Sequence, residues 1–355
     1  MADQECLRVL RQGSQAWNAW RGPSSYVKAD LSGATLDKAE LAGVNLEEVN
    51  LSKARLSGAN LNGAILRGAD LSQARLSKAD LTGATLSRAL MEYCDLRGAR
   101  LAGAQLDEVD FRHARLGDVS FEGNDMRAAN LNGALLSHTN FRNTNLGSAE
   151  LRKANLFESD FHGADMRGAI LVEANLERGN FGLANLERAN LRGANLADAN
   201  MEAVNLAEVD LQDTKLQGAN FKGAVLRGAK LNKAKISGTC MAGADFARAE
   251  LMDADLSEAN LEGANLSEAI LCGANLTGAN LRSANLTAAS FEQARLVGAD
   301  LTDANITDAN LRGANLIAAM MYHVTGWESM RVKDANLTGA QKTPRGFRQH
   351  AKENG

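Results

Sequence analysis

The side chains that could most readily do chemistry are few and scattered in this chain of 355 residues. Its four cysteines have neither the spacing of a zinc site nor that of a disulfide framework. Its five histidines lie more than five residues from one another and from every cysteine, so solvated surface positions are favoured over metal binding or general base catalysis. The residues are Cys6, Cys94, Cys240 and Cys272, and His113, His138, His162, His323 and His350.

Motifs that bind phosphates, dinucleotides or zinc are absent too. The sequence contains no G-x-x-x-x-G-K-[ST], no G-x-G-x-x-G and no H-E-x-x-H. We therefore expect a protein that is not an enzyme and that has no catalytic, cofactor-binding or metal-binding residues. The alternative, an enzyme, needs a concave pocket, and no inserted loop interrupts the repeats of this chain.

The composition narrows the function further. Lys and Arg number 39 against 43 Asp and Glu, which gives a formal net charge of −4 and excludes a strongly basic nucleic-acid-binding protein. Hydrophobic residues make up 45% of the chain but aromatic residues only 5%, so the apolar content is mostly Ala and Leu. Because no long apolar run or secretory leader is recognisable, we expect a cytoplasmic protein without membrane contact.

A five-residue repeat begins at Ala29 and keeps its register up to Met321. Its centre is Leu31, then Leu36, and then an apolar residue at every fifth position, which makes 59 repeats. Two positions before each centre is a small residue, most often Ala, and Asn or Asp often lies between the two. On an α-helix the centres would wander around the cylinder, and on a straight strand they would alternate between faces. The pattern therefore predicts extended backbone within each repeat and a corner before the next.

Phenylalanines indicate how many repeats form one coil. Phe121, Phe141, Phe161, Phe181 and Phe221 are centres separated by four or eight repeats, as expected if their rings stack in successive coils. One coil is then four repeats, so we expect about 15 coils spaced by about 4.8 Å. Gly recurs two positions after the centre, where a corner can require positive φ, and both prolines lie outside the array.

The small inward position departs from Ala near this column of rings. The residues are Asn124, Thr139, Thr144, Ser159 and Gly179. Relief of crowding beside the rings accounts for them without any function. A buried Asn124 also requires a hydrogen-bond partner, which the sequence does not identify.

The A-[DN]-L-x-x pattern, as in ANLAD at residues 194–198, resembles the pentapeptide repeat family over residues 29–341. The resemblance implies an all-β fold, a right-handed quadrilateral parallel β-helix with four pentapeptides per coil, often dimeric through one end. Residues 1–28 then form a short N-terminal capping helix and lead-in, and residues 342–355 form a basic C-terminal tail.

The N-terminal helix is expected from about Asp3 to Trp20. Apolar residues recur there at near-helical spacing, namely Leu7, Leu10, Trp17 and Trp20, and Gly22-Pro23 ends the pattern. Such a helix would cover the unpaired edge of the first coil. The string WNAWR at residues 17–21 also resembles a leader found before many bacterial pentapeptide arrays. A tryptophan ligand site is the alternative.

Near the C-terminus the register slips by one residue within 322–327. We expect Tyr322 and His323 to form a bulge there. The later centres are then Trp327, Val332 and Leu337.

Apolar residues at the two ends are candidates for an end cap or for a dimer seam. These residues are Trp17, Trp20, Met320, Met321, Tyr322 and Trp327. A homodimer through one end of the solenoid and plain packing of the coil ends explain them equally well.

Four outward apolar residues form a candidate protein-binding patch on two adjoining sides of neighbouring coils. They are Leu135, Phe157, Ile170 and Val172. Contiguous apolar surface often marks a partner site, but isolated exposed apolar residues are also normal.

The sequence therefore predicts a non-enzymatic, rigid protein-binding scaffold or spacer with an unknown protein partner and no cofactor. The family resemblance supplies an alternative, a DNA mimic that protects type II topoisomerase, DNA gyrase, from quinolones. Duplex DNA carries one charge per ~1.7 Å, whereas the repeats carry roughly one net negative charge per 8 Å. Basic residues such as Arg55, Lys78 and Lys233 also interrupt any acidic stripe, so the scaffold is favoured over direct or imitated nucleic-acid contact.

Overall fold

The structure is a computed structural model that describes residues 2–22 and 29–353. The chain divides into two compact units, Met1–Asn175 and Leu176–Gly355, called unit 1 and unit 2. Each is built from stacked coils of the five-residue repeat. Pro23, which together with Gly22 is predicted to end the helical pattern, and the lead-in that follows it lie outside the described residues.

Within each unit, main-chain hydrogen bonds join nearly every repeat to the fourth repeat after it. In unit 1 the Leu31 N–H donates to Asn50 O (2.7 Å) and the Asn50 N–H donates to Ala29 O (3.1 Å). In unit 2 the Leu256 N–H donates to Asn275 O in the same way (2.7 Å). The described residues contain isolated parallel bridges rather than continuous strands, because the chain turns after every centre. Within each unit the coils therefore form a parallel ladder with one bridge at nearly every repeat.

Every corner has the same backbone conformation. The residue two positions after each centre, from Gly33 to His323, has a φ between +53° and +73°. The next small residue donates its N–H to the centre's carbonyl, as from Ala34 to Leu31 O (3.0 Å), which is typical of a type II β-turn. Even Tyr93 and Leu183 adopt this left-handed conformation, so the ladder and the packing outweigh a cost of about 1 kcal/mol.

The centres and the small residues fill the interior. Leu186, for example, has no exposed surface. In unit 1 the ring centroids of Phe121 and Phe141 lie 5.3 Å apart, and those of Phe141 and Phe161 lie 4.9 Å apart. The Phe111 ring meets Phe121 from the opposite side at 6.1 Å. In this unit the rings thus stack at the four-repeat spacing that the sequence predicts.

Asparagine commonly precedes the centre because its side chain makes two kinds of hydrogen bond. Asn205 Oδ1 accepts from the Ala207 N–H (3.1 Å), an Asx turn that holds the start of the corner. Asn205 Nδ2 donates to Asn185 Oδ1 in the neighbouring coil (3.0 Å). Asn285 and Asn265 are joined in the same way (3.0 Å). Rows of side-chain bonds therefore run alongside the main-chain ladder.

The N-terminus forms two helices where the apolar spacing predicts one. Helix α1 spans Gln4–Leu10 and helix α2 spans Ser14–Arg21. The break falls at Gly13, whose φ of +102° lies outside the helical range. Just before α1, the Asp3 N–H donates to Asp30 O in the first coil (2.7 Å), so the helices are tied to the coil edge.

The one-residue slip lies later than the sequence suggests. Tyr322 and His323 form an ordinary corner, so the expected bulge at these residues is wrong. The extra residue is accommodated by a 3₁₀ turn at Trp327–Ser329. The bridge Asn305–Thr325 before the turn has the regular spacing, whereas the bridge Asn310–Arg331 after it spans one residue more. The ladder therefore resumes its pattern after the turn.

A C-terminal helix covers this turn. Trp327 begins the 3₁₀ turn and is half-buried, so the prediction that it is a centre is wrong. Val332, which is also predicted to be a centre, is buried. Helix α3 spans Phe347–Glu353 within the expected basic tail. The Phe347 side chain has no exposed surface, and its ring lies 6.1 Å from Trp327. His350 meets Trp327 edge-on at 5.9 Å, so Trp327 packs against α3.

We expect Leu186→Asp to abolish cooperative folding of unit 2, because it places a carboxylate where leucine contributes about 2 kcal/mol of apolar transfer. Leu183→Asp is the matched control, since Leu183 lies at a corner, is 63% exposed and has a positive φ that Asp tolerates. Thermal melting followed by circular dichroism should show a lost or much lowered transition only for Leu186→Asp. An unchanged transition in that variant would contradict a filled interior.

Candidate functional site

The outward side chains form four walls in each unit. Wall 1 contains the repeats centred on Leu31 and every twentieth residue after it, and walls 2, 3 and 4 start at Leu36, Leu41 and Leu46. In nearly every repeat the centre and the small residue are both buried. The other three residues are therefore the ones that a partner of the repeats can contact.

The first two patch residues lie on wall 2 of unit 1. Leu135 is 49% exposed and pairs through its main chain with Asn155 of the next coil. Phe157 is half-buried, and its ring lies edge-on to His138 with 5.8 Å between centroids. His138 Nδ1 is in turn 3.4 Å from Glu158 Oε2. Leu135 and Phe157 thus provide apolar surface on one wall, next to a polar rim.

The other two patch residues, Ile170 and Val172, lie on wall 1. Both are half-buried and flank the buried centre Leu171. The corner between walls 1 and 2 carries an ion pair in which Lys153 Nζ is 3.5 Å from Glu173 Oε2. The structure therefore places the four residues as two pairs with a charged corner between them.

The tryptophans of α2 lie against the first coil. Trp17 is fully buried and its Nε1 donates to Asn45 O (2.6 Å). Trp20 is half-buried, with its ring 5.2 Å from Trp17. Arg21 Nη2 donates to Glu47 O (2.6 Å), and burial lowers the pKa of this guanidinium. In later coils such carbonyls accept from the coil before, so here the helices supply the missing donors.

The C-terminal candidates divide into exposed and buried residues. Met320 and Tyr322 are 38% and 45% exposed on wall 3, and they flank Met321, which is fully buried. Lys342 Nζ lies 5.1 Å from the centroid of the Tyr322 ring. Of these side chains, Met320 and Tyr322 offer surface to a partner, whereas Met321 belongs to the interior.

An exposed aromatic pair on wall 1 was not anticipated from the sequence. Tyr93 is 56% exposed, and its ring stacks on His113 with centroids 4.9 Å apart. Leu90, on the same wall, is 46% exposed. The His113 ring lies over Gly133, where a Cβ atom would come within 2.5 Å of Nδ1. The sequence did contain a signal for this stacking, because Tyr93 and His113 are corner residues one coil apart.

Carboxylates on the outer walls pair with nearby arginines. Three arginines of unit 1 each bind the aspartate two residues before them at 2.6 to 2.7 Å, and the hydrogen bonds lower the pKa of these aspartates. The pairs are Asp95 with Arg97, Asp125 with Arg127, and Asp165 with Arg167. At a corner of unit 2, Arg188 Nε lies 2.8 Å from Glu208 Oε2, one coil away. Much of the negative charge is therefore neutralised locally.

Within residues 2–22 and 29–353, no group of three or more His, Cys, Asp or Glu side chains is placed to hold a metal ion. Burial raises the pKa of the Cys94 thiol, which disfavours the reactive thiolate. Of the helices that the described residues form, none has the length and apolarity that crossing a membrane requires.

The geometry within each unit defines a class of protein, a solenoid built from five-residue repeats that pair with the fourth repeat after them. A family model described as pentapeptide repeats matches eight copies within residues 29–68, 64–103, 169–206, 210–248, 249–287 and 284–319. A second model, pentapeptide repeat region, matches residues 94–171. The chain therefore belongs to the pentapeptide repeat family.

Several solved structures are similar to this chain. HetL, a pentapeptide repeat protein involved in heterocyst differentiation regulation from the cyanobacterium Nostoc sp. strain PCC 7120, is 30% identical over 71% of this chain and 90% of HetL, with a TM-score of 0.33. A pentapeptide repeat protein of the Arabidopsis thaliana thylakoid lumen is 32% identical over 30% of this chain and 63% of that one, with a TM-score of 0.20. Full-length QnrB1, a plasmid-mediated fluoroquinolone resistance protein, is 18% identical over 70% of this chain and 91% of QnrB1, with a TM-score of 0.16. No curated protein sequence matches the chain.

We expect the paired aspartates to stabilise the fold above about pH 4 and to lose this effect at lower pH, because their pKa values lie below those of the unfolded chain. The triple variant Asp95→Asn/Asp125→Asn/Asp165→Asn keeps the Oδ1 acceptors but removes the charges. It should melt a few degrees below the wild type at pH 7 and together with it near pH 2.5. High salt should shrink the difference at pH 7, and a difference that is independent of pH would contradict the assignment.

Proposed function

We propose that this protein is a non-enzymatic scaffold that binds another protein through its outer walls. The observation that carries the proposal is the division of the repeats, with few exceptions, into two buried residues and three that face outward. The buried positions keep a narrow range of mostly small or apolar residues, whereas the outward positions vary in size and charge. Such a surface presents many combinations of side chains on one regular framework, as repeat proteins that bind partners do.

We infer that the partner binds wall 2 of unit 1 around Leu135 and Phe157. Leu135 supplies exposed apolar surface, and Phe157 is half-buried beside His138. An apolar centre with a polar rim is the usual composition of a protein interface. Because the edge-on contact with His138 already orients the Phe157 ring, binding orders few additional side-chain rotations. A partner that crosses the Lys153–Glu173 corner would also reach Ile170 and Val172.

Affinity capture from the native host, with the full-length chain immobilised, tests this site. We expect Leu135→Glu/Phe157→Glu to weaken partner binding by at least about tenfold, because it puts two charges at the apolar centre. Ile65→Glu is the matched control, since Ile65 is also an outward bridge residue of unit 1 and is 39% exposed, but lies on wall 4.

Retention of every captured protein by the double variant, at wild-type affinity, would remove wall 2 as the site. Ile170→Glu/Val172→Glu then examines wall 1 in the same assay. Undiminished capture by both double variants would exclude the patch altogether.

Protection of a type II topoisomerase by imitation of DNA is the alternative function. Against it, acidic side chains on the outer walls are paired with arginines, as at Asp125–Arg127 and Arg188–Glu208, so the acidic surface is interrupted. The similarity to QnrB1 is too low to favour it.

A DNA gyrase supercoiling assay with and without a quinolone separates the two functions. We expect the full-length protein at micromolar concentration neither to inhibit supercoiling nor to protect it from the drug, because its charges are balanced locally. Protection or inhibition at that concentration would replace the scaffold with the DNA mimic. The charge-reversal variant Glu208→Lys would then distinguish specific mimicry from a nonspecific effect.

We also propose that α1 and α2 act as an N-terminal cap, since they bond the first coil through Asp3, Trp17 and Arg21. At the other end, Met320 and Tyr322 are the exposed residues through which a homodimer would form. Light scattering at high protein concentration distinguishes such a dimer from plain packing of the coil end.

A further inference from the structure

At one place on wall 3 of unit 1, two neighbouring coils lack the main-chain hydrogen bonds that join the other coils of this unit. On wall 3 the regular ladder requires bonds from the Leu101 N–H to Ser120 O and from the Gly103 N–H to Glu122 O. In the described part of unit 1 neither bond forms, and the Ser120 N–H does not donate to Ala99 O. The parallel bridge expected at this wall is missing as well.

The gap is centred on wall 3 and extends to the Asp125 N–H to Ala104 O bond at the start of wall 4. The neighbouring bridges, Asp95–Arg115 on wall 2 and Gln105–Asp125 on wall 4, are both present. One coil earlier, wall 3 itself is closed, because the Leu81 N–H donates to Arg100 O (2.8 Å) and the Gly83 N–H donates to Ala102 O (2.9 Å). The lost bonds therefore have a local cause.

Asn124 supplies that cause. It occupies the small position of the repeat that follows Phe121 and is 3% exposed. Its Nδ2 donates to Leu101 O (3.0 Å) and to Ala104 O (2.7 Å). In the regular ladder the Ala104 carbonyl would accept from the Asp125 N–H, so the Asn124 amide takes the place of a main-chain donor.

A larger polar side chain at this position does not by itself open the ladder. Thr144 occupies the equivalent position one coil later, and its Oγ1 donates to Phe121 O (2.7 Å). There the Phe121 N–H still donates to Asn140 O (2.7 Å) and the Asn145 N–H to Asn124 O (3.0 Å). The difference is that the Asn124 amide competes for a carbonyl of the ladder.

Three further observations accompany the gap. A surface cavity of about 460 Å³ lies against it, lined by residues 98–102 together with Asp118, Ser120 and Glu122. Ala99 is 7% exposed, although its counterparts in the adjacent coils, Ala79 and Val119, are 0% and 1% exposed. In addition, the buried Asn124 Oδ1 accepts no hydrogen bond from any residue that the structure describes.

We propose that Asn124 holds wall 3 open at this point and that unit 1 opens here first. The stability of stacked repeats is approximately the sum of the repeats and of the interfaces between neighbours. The interface without these main-chain bonds is then the weakest one in unit 1, and the coils before and after it unfold as separate cooperative blocks. Local opening of this kind exposes amides to solvent without unfolding of the surrounding coils.

Hydrogen–deuterium exchange of the full-length protein, resolved to single amides, tests the proposal. In the wild type we expect the Leu101 and Gly103 amides to exchange about a hundredfold faster than those of Leu81 and Gly83, which occupy the same wall one coil earlier. Equal protection at the two places would overturn the proposal.

Two variants test the role of Asn124 itself. Asn124→Ala and Asn124→Thr should return the Leu101 amide to within about tenfold of Leu81, because the Asp125 N–H regains the Ala104 carbonyl. Both should also raise the melting temperature, whereas the matched control Thr144→Ala should do neither. Fast exchange that persists in both Asn124 variants would overturn the assignment, and if neither variant folds, the wild-type comparison decides alone.

Discussion

The peptide hydrogen bonds between coils are the constraint on which the rest of the structure depends. They require partners four repeats apart along the chain, so an inserted residue has to be accommodated outside the ladder if the later side chains are to stay in line with the coil before them. The one extra residue is accordingly accommodated by the 3₁₀ turn at Trp327–Ser329, and the bridges after the turn again join residues of matching position. The same bonds fix the corners, which is why Tyr93 and Leu183 accept a conformation that usually favours glycine.

Because the ladder repeats so strictly, much of the fold follows from residue spacing. The Phe121, Phe141 and Phe161 stack is predicted by the four-repeat interval between the rings. The division of the N-terminus into two helices is not predicted, because a shared apolar period does not show that the helix breaks at Gly13. The position of Trp327 is not predicted either. A large apolar residue that is one step out of register can be a buried centre or can lie in a turn that packs against α3.

The sequence predicts that the residues of the candidate site face outward, but it does not predict their contacts. Register alone places Leu135 and Phe157 on the outside, because neither is a centre or a small residue. It does not show that the Lys153–Glu173 pair separates them from Ile170 and Val172, since the reach of long side chains depends on their rotamers. The hydrogen-bond acceptors of Asn124 could not be predicted either, because the sequence does not show to which of several main-chain carbonyls the amide donates.

Outward residues are nonetheless tied to their counterparts in adjacent coils, and this bears on where a partner can bind. Asn175 Nδ2 donates to Asn155 Oδ1 (3.1 Å), and an asparagine one coil earlier would continue the row. Leu135 stands there instead and has no oxygen to accept the next amide proton. The Leu135 side chain therefore makes no hydrogen bond within the row, and its apolar surface is exposed to water or to a partner. Where an outward residue interrupts such a row, the wall loses bonds to its own neighbours, and surface becomes available for recognition.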